Sequence, residues 1–519
     1  MESRGAMVNV NSDRRFSPKS FFPIVAAIAW FCAAVQAQVP TKFDFGTGPA
    51  AAGYTKVTPT TVYSAGQGYG FEPGSTITAV SRGGADVMRG DYCTGTSFSF
   101  SVTVPQGYYL ITLYLGDLGG ASATTVWGEQ RRFFIDRLGT ASGQVVTKTF
   151  SIARRAYKNA TVTIDTTLGE SKYVDFDDKL TLNFTGSKPC VCGVEIVPID
   201  TAVTVFLCGN STLVDQPGAA YGEWGQYITK FFTSKVCIDN EAQSGETAHN
   251  FILEHRLAMI MTLIKPGDYV FMEFGTNDGK TDTATKAFLP SINQMIDSII
   301  ARNATPIVVT PAVRVNDADT IASIYGIPDT IRKYAKSINA KIIDLNSMTF
   351  NLKKALGAQA SSMYVSGDPT HFCNFGGFEL ARCMALGMIN ANLDVAKYLN
   401  NDLPVFNLSK PDPVDYLTTP SVSVAEPKTS ETASELSEAG GLRVTMPGRC
   451  IRFTPGKSGE AIFSVFSMSG KQLMEKRTDM GRTQSSCSWD ELGKLPMGTY
   501  FLSMSCGGVF AGKIKLCIL

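Results

Sequence analysis

The chain has 519 residues, room for several domains at ~100–200 residues each. A composition of 44% hydrophobic and 18% charged residues excludes an intrinsically disordered chain. The formal net charge of +1 offers no basic excess of the kind that draws a protein to nucleic acid or to an anionic membrane.

In chain order, the first predicted element is a targeting segment. Arg4, Arg14, Arg15 and Lys19 precede FFPIVAAIAWFCAAVQA, an uncharged run of 17 residues, with Val35 and Ala37 at small-residue cleavage positions. This predicts a secretory signal peptide over residues 1–37. The alternative, a membrane anchor, asks for ~20 apolar residues and a cationic stop, and Gln38, Pro40 and Thr41 follow instead. Removal of 1–37 takes away four basic and two acidic side chains, so the net charge moves from +1 to −1. With no other apolar run of spanning length, the expectation is a soluble, secreted or cell-surface protein without a membrane span.

Residues 38–199 read as an all-β sandwich or jelly roll. SFSFSVTVPQGYYLITLYLGD holds two period-2 runs joined by Pro105-Gln106-Gly107, a hairpin signal, and ATVTIDT and KLTLNF continue the style. Residues 200–400 change character. Short apolar strands (TVFLCGN, DYVFMEFG, TPIVVTPAV, AKIIDLN) alternate with helical patterns such as TAHNFILEHRLAMIMTLI and TKAFLPSINQMIDSIIARN. That alternation predicts a parallel, doubly wound sheet covered on both faces, a three-layer α/β domain whose site lies at the carboxyl ends of the strands. Residues 409–440, rich in Pro, Ser, Thr and Glu, read as a linker, and 441–519 as a small β-rich domain.

Twelve cysteines are present, and Cys32 falls inside the signal, which leaves an odd number. Cys190 and Cys192 lack a second Cys/His pair at zinc spacing. A Cys373–Cys383 bridge is compatible with an oxidising compartment.

The chemistry-bearing residues fall in the α/β region. FLCGNST places Ser211 just past a strand, at a predicted helix start: a nucleophile at the active edge, or an ordinary N-cap. Gly245, in NEAQSGETAHNF, is either a loop glycine or a point where substrate approaches a backbone N–H. Asn277, in FMEFGTNDG, is either turn chemistry or an amide donor to an oxyanion. Asp368-Pro369-Thr370-His371 is either a polar surface loop or a carboxylate that fixes the tautomer of a general base. His249 and His255, six apart in one helical pattern, share no face and read as structural.

Together these four blocks, in the order Ser, Gly, Asn, Asp-x-x-His, resemble the SGNH (GDSL-like) hydrolases over roughly residues 201–395. No G-x-S-x-G occurs. The resemblance implies a flavodoxin-like α/β domain with Ser211 as nucleophile, His371 as base and then acid, and Asp368 as its orienter. It implies an oxyanion hole from the Ser211 N–H, the Gly245 N–H and the Asn277 side chain, with no metal or organic cofactor. The family usually has Asp before the nucleophile, where this chain has Asn210. Within the family, GNST, FGTNDG and the D-x-T-H loop look most like rhamnogalacturonan acetylesterases. The opening FDFGTGPAAAGYTKVTPTTVYSAGQGYGF resembles a galactose-binding-like domain, with Tyr69, Phe71 and Trp127 as candidate sugar-stacking aromatics. IFSVFSMSGKQL and LGKLPMGTYFLSM resemble a type IX secretion sorting domain, which implies export machinery as a partner. The implied substrate is acetylated plant cell-wall polysaccharide, pectic rhamnogalacturonan. An acetylxylan or broader acyl esterase, and a degenerate carbohydrate-binding protein, are the alternatives.

Overall fold

Period-2 apolar patterning bends the N-terminal region into two facing sheets. The computed structural model of the protein describes residues 41–165, 177–400 and 406–417, with seven strands between 443 and 518. The predicted signal segment and most of the predicted linker lie outside the described residues. One sheet runs in the order Gln144–Arg154, Gly107–Asp117, Cys190–Pro198, Lys42–Phe45, Thr55–Val57, with Asp91–Thr94 and Thr78–Ser81 paired off its side. The second runs Tyr69–Phe71, Ser97–Thr103, Lys179–Lys188, Ser122–Gly128, Arg132–Thr140. Phe98, Phe100 and Val102 of one sheet and Ile111, Leu113 and Leu115 of the other are buried in one core. Phe100 meets Phe43 and Phe45 edge-on at 5.0 and 4.8 Å, a favoured aromatic geometry.

The hairpin read at Pro105-Gln106-Gly107 is not one. Ser97–Thr103 pairs with Lys179–Lys188, while Gly107–Asp117 pairs with Gln144–Arg154 and Cys190–Pro198. Both runs carry an apolar face, and each buries it in the shared core from its own sheet.

The central region is a parallel sheet in the order Val236–Asn240, Val203–Gly209, Tyr269–Glu273, Thr305–Val309, Ile342–Ile343. This is the 2-1-3-4-5 order of flavodoxin-like sheets, with its switch point between the first and third strands in sequence. Its strands are apolar on both faces because both are covered. Val205 and Leu207 join a cluster with the helix Asn374–Asn390, and Phe206 and Cys208 join another with the helices Asp282–Ile300 and Ile327–Ser337.

The long pattern 247–264 forms two helices, Ala248–Leu253 and Arg256–Leu263, rather than one. The break falls at His255 (φ 65°), between Glu254 and Arg256, which pair at 2.9 Å in full burial. The Cys373–Cys383 bridge is absent and both thiols are free. Cys373 caps the helix Asn374–Asn390 and Cys383 lies ten residues on. At 1.5 Å of rise per residue that is ~15 Å, far beyond the ~7 Å limit for bridged Cα atoms. Towards the C-terminus, strands form a three-stranded and a four-stranded sheet. Residues 406–417, where the linker was expected to begin, lie against the folded core: Tyr416 stacks on Phe378 at 5.5 Å and Arg382 lies over Phe406 at 4.4 Å.

Candidate active site

Three neighbouring strands of the parallel sheet deliver the site residues to one edge. Ser211 follows Val203–Gly209, Gly245 lies beyond Val236–Asn240, and Asn277 follows Tyr269–Glu273. The helix expected to start at Ser211 is not there. Residues 211–214 form a turn in which the Asn210 carbonyl accepts from the Leu213 and Val214 N–H groups. Asn210 Oδ1 closes the turn by accepting from the Thr212 N–H at 3.1 Å and the Thr212 hydroxyl at 2.9 Å, an Asx-type arrangement. The turn leaves the Ser211 side chain at the edge while the residue stays 8% exposed.

Across from it the loop 364–372 folds back on itself. The Asp368 N–H donates to the Val365 carbonyl and the Val365 N–H to the His371 carbonyl. Asp368 Oδ1 accepts from the N–H groups of Thr370 at 2.8 Å and His371 at 3.0 Å, and Asp368 Oδ2 lies 2.7 Å from His371 Nδ1. His371 Nε2 then lies 2.8 Å from Ser211 Oγ. Burial alone raises the Asp368 carboxyl, but the two backbone donors and His371 outweigh it and hold it below the usual range. An ionised Asp368 makes Nδ1 the protonated nitrogen and leaves Nε2 as acceptor for the serine proton.

Gly245 has φ 82°, in the left-handed region that favours glycine. Among the described residues, neither its N–H nor that of Ser211 is paired with an acceptor of the chain. Asn277 Nδ2 donates to the Glu246 carbonyl at 2.9 Å, which fixes the amide beside Gly245 and leaves its second proton available. The structure therefore brings Ser211, Asp368 and His371 into one hydrogen-bonded chain and sets Gly245 and Asn277 at the same sheet edge. His249 and His255 stand elsewhere, against Ser291 Oγ at 3.4 Å and the Thr163 carbonyl at 3.2 Å.

The candidate sugar-stacking aromatics fare differently. Phe71 is 1% exposed in the sandwich core, and Tyr69 packs on Phe43 at 5.1 Å. Trp127, 3% exposed, packs on Phe133 at 4.3 Å and edge-on to Tyr227 at 6.0 Å. Phe71 and Trp127 are thus core residues, since stacking on a sugar needs an open ring face.

Several residues at the site escaped the sequence reading. Gln216 Nε2 donates to the Ser211 carbonyl at 3.0 Å. The Tyr221 ring stands edge-on to His371 at 5.9 Å. Beneath the nucleophile turn, Glu273 is fully buried and accepts from Trp224 Nε1 at 2.5 Å, with Thr212 Oγ1 at 3.0 Å. Burial pushes Glu273 up to about 8, against the pull of those bonds. Thr212 Oγ1 has one proton but faces both Asn210 Oδ1 and Glu273 Oε1. A neutral Glu273 supplies the second proton and satisfies the whole set. No local pattern announces these residues: Tyr221 and Glu273 meet His371 and Thr212 only in the fold, and Gln216 reaches back to Ser211 across an irregular turn.

Comparison with known proteins places two families on the chain. Residues 41–152 match the family described as beta-agarase/YXIM esterase-like, galactose-binding domain-like, and residues 207–372 match the GDSL-like lipase/acylhydrolase family. The chain is 26% identical over 363 residues to the uncharacterized esterase YxiM of Bacillus subtilis, covering 66% of this chain and 88% of that one. It is 31% identical over 219 residues to the rhamnogalacturonan acetylesterase RhgT of the same organism, covering 38% of this chain and 94% of that one. A crystal structure of the Bacillus subtilis YxiM protein matches at 24% identity and a TM-score of 0.37, covering 68% of this chain and 99% of that chain.

Proposed function

We propose, because the chain belongs to the GDSL-like lipase/acylhydrolase family, that this carboxylic-ester hydrolase is a secreted acetylesterase acting on pectic rhamnogalacturonan. The observation that carries the reading is the hydrogen-bonded chain Ser211–His371–Asp368, with its 2.8 and 2.7 Å links. In this reading Ser211 Oγ attacks the acetyl carbonyl as its proton passes to His371 Nε2. Asp368 keeps the imidazole oriented and stabilises the imidazolium. The oxyanion takes hydrogen bonds from the Ser211 N–H, the Gly245 N–H and the Asn277 amide. Collapse breaks the bond to the sugar oxygen, which leaves with the proton from His371. Water, deprotonated by His371, attacks the acetyl-serine and releases acetate.

The substrate class is supported by the likeness to RhgT, which spans nearly the whole of that relative. Export is supported by the signal peptide that the sequence predicts over residues 1–37 and by the resemblance of residues 441–519 to a sorting domain. The test is acetate release from acetylated rhamnogalacturonan, with acetylated xylan alongside, for the parent and for Ser211→Ala. Release from the pectic polymer that vanishes in the variant supports both mechanism and substrate. Release mainly from xylan keeps the mechanism and replaces the substrate. No release from either, by a folded chain, overturns the reading in favour of a binding protein or an esterase of another ester.

A further inference from the structure

The tip of the β-hairpin between Ser122–Gly128 and Arg132–Thr140 leaves the N-terminal sandwich and enters the α/β domain. Its Arg131 is 4% exposed and adopts φ 60°. Arg131 Nη1 reaches the carbonyl oxygens of Gln216 at 3.3 Å, Gly218 at 2.5 Å and Tyr221 at 2.8 Å. Its Nη2 donates to Asn374 Oδ1 at 2.6 Å. These acceptors are all uncharged, so a guanidinium has been taken out of water with no carboxylate among them. Such burial is costly unless geometry compensates. A planar fork of donors is the one side chain that can bind three carbonyls and an amide at once.

The segment it grips begins and ends at the site. Gln216 holds the Ser211 carbonyl, and Tyr221 faces His371. The far side is clamped as well. Asn374 Nδ2 donates to the Ala219 carbonyl at 3.0 Å, and the Gly222 N–H donates to the Phe372 carbonyl at 3.0 Å, next to His371. Neighbouring contacts repeat the pattern: Gln226 Nε2 donates to the Gln130 carbonyl at 2.8 Å, and Arg132 Nε to Asp215 Oδ2 at 2.7 Å.

We infer that Arg131 is a positioning residue of the esterase site, and that the N-terminal domain, through this hairpin tip, sets the segment 216–222 that aligns Ser211 with His371. The inference rests on the esterase reading of that site. It assigns the β-domain a part in catalysis that does not depend on binding sugar, so it predicts an effect on a substrate with no sugar at all.

The experiment measures hydrolysis of 4-nitrophenyl acetate by the full chain, its Arg131→Ala, Arg131→Lys and Tyr221→Ala variants, and the double variant Arg131→Ala/Tyr221→Ala. Phe43→Leu, in the sandwich core, controls for general loss of stability. A displacement of ~1 Å at a reacting centre costs on the order of 100-fold. The expected result is therefore a ten- to 100-fold fall in kcat for Arg131→Ala with KM changed less. Activity should recover when guanidinium is added at concentrations that leave the parent folded. The double variant should lose no more than the worse single one, because both act through one segment. Arg131→Lys, which keeps the charge but not the fork, should show the same kcat loss in smaller measure. Arginine variants within twofold of the active parent, losses equalled by Phe43→Leu, or fully additive losses without guanidinium rescue would each overturn the inference. A parent inactive on this ester rejects the esterase reading itself, and the inference with it.

Discussion

At the scale of single residues, the site depends on short side chains held by backbone donors. Asp368 accepts two N–H groups of its own turn as well as the imidazole. Asp368→Asn preserves that shape but offers His371 an amide, which favours the wrong tautomer. We expect kcat on an acetyl ester to fall on the order of 10³–10⁴-fold with little change in melting temperature. Unchanged kcat would remove Asp368 from the mechanism. Asn277 has a different role. Its amide is anchored on the Glu246 carbonyl, so Asn277→Ala removes one oxyanion donor and should lower kcat by ~10²–10³-fold, about 2.7–4 kcal/mol, with KM nearly constant. A raised KM with kcat unchanged would instead point to a lost contact already made in the ground state. Asn277 was legible in the sequence because turn residues after an apolar strand fix where a side chain emerges, and Asp368 because it stands three residues before His371 in a proline-stiffened loop. Gln216, Tyr221 and Glu273 were not, because each acts across a gap in sequence that no local periodicity reports.

At the scale of elements, the sequence disclosed periods but not partners. The runs 97–103 and 107–117 do alternate, yet alternation says only that one face is buried. Burial across the sandwich and burial side by side satisfy it equally. The same ambiguity hid the roles of Phe71 and Trp127, since an aromatic in an alternating strand can serve a core or a ligand. Trp127 and Phe133 belong to strands of the N-terminal domain but join the core cluster of the α/β domain with Tyr227 and Phe378. Truncating such a buried aromatic leaves a cavity bounded by both domains. Trp127→Ala should therefore destabilise by ~3–5 kcal/mol and lower the unfolding of both domains together. Calorimetry decides this: a shifted sandwich transition beside an unchanged α/β transition would mean that the two unfold independently.

At the scale of the whole molecule, buried carboxyls set how stability responds to pH. Glu273 is raised to about 8 and Asp278 to about 6, each mainly by burial, against the backbone N–H donors of Ala248 and Gly275 in the case of Asp278. Glu223 is raised as well, again by burial first. Each of these binds a proton in the folded chain that the unfolded chain has released, from the ordinary carboxylate range up to the folded value. The unfolded state then holds fewer protons, so stability falls with rising pH at about 1.4 kcal/mol per pH unit for each fully engaged group. For Asp278 the fall runs from about 4 to about 6, and for Glu273 from about 4.5 to about 8. Asp344 and Asp368 are shifted the other way: burial raises each, but Arg332 and Ser347 for the first, and backbone donors with His371 for the second, lower it further. Their contribution is present above the unfolded carboxylate value and is lost as pH falls through the depressed one. The melting temperature should therefore be highest near pH 4 and decline from there towards pH 8. Glu273→Gln keeps the hydrogen-bonding shape toward Trp224 and Thr212 while removing the proton linkage. In thermal melts across pH 4–9 it should make the decline between about 6 and 8 shallower, where Asp278 no longer contributes but the buried Glu246, raised to about 9, and Glu379, raised to about 7, still do. A Glu273→Gln curve parallel to the parent's would mean that Glu273 is ionised in the folded chain and that Thr212 donates to it rather than to Asn210.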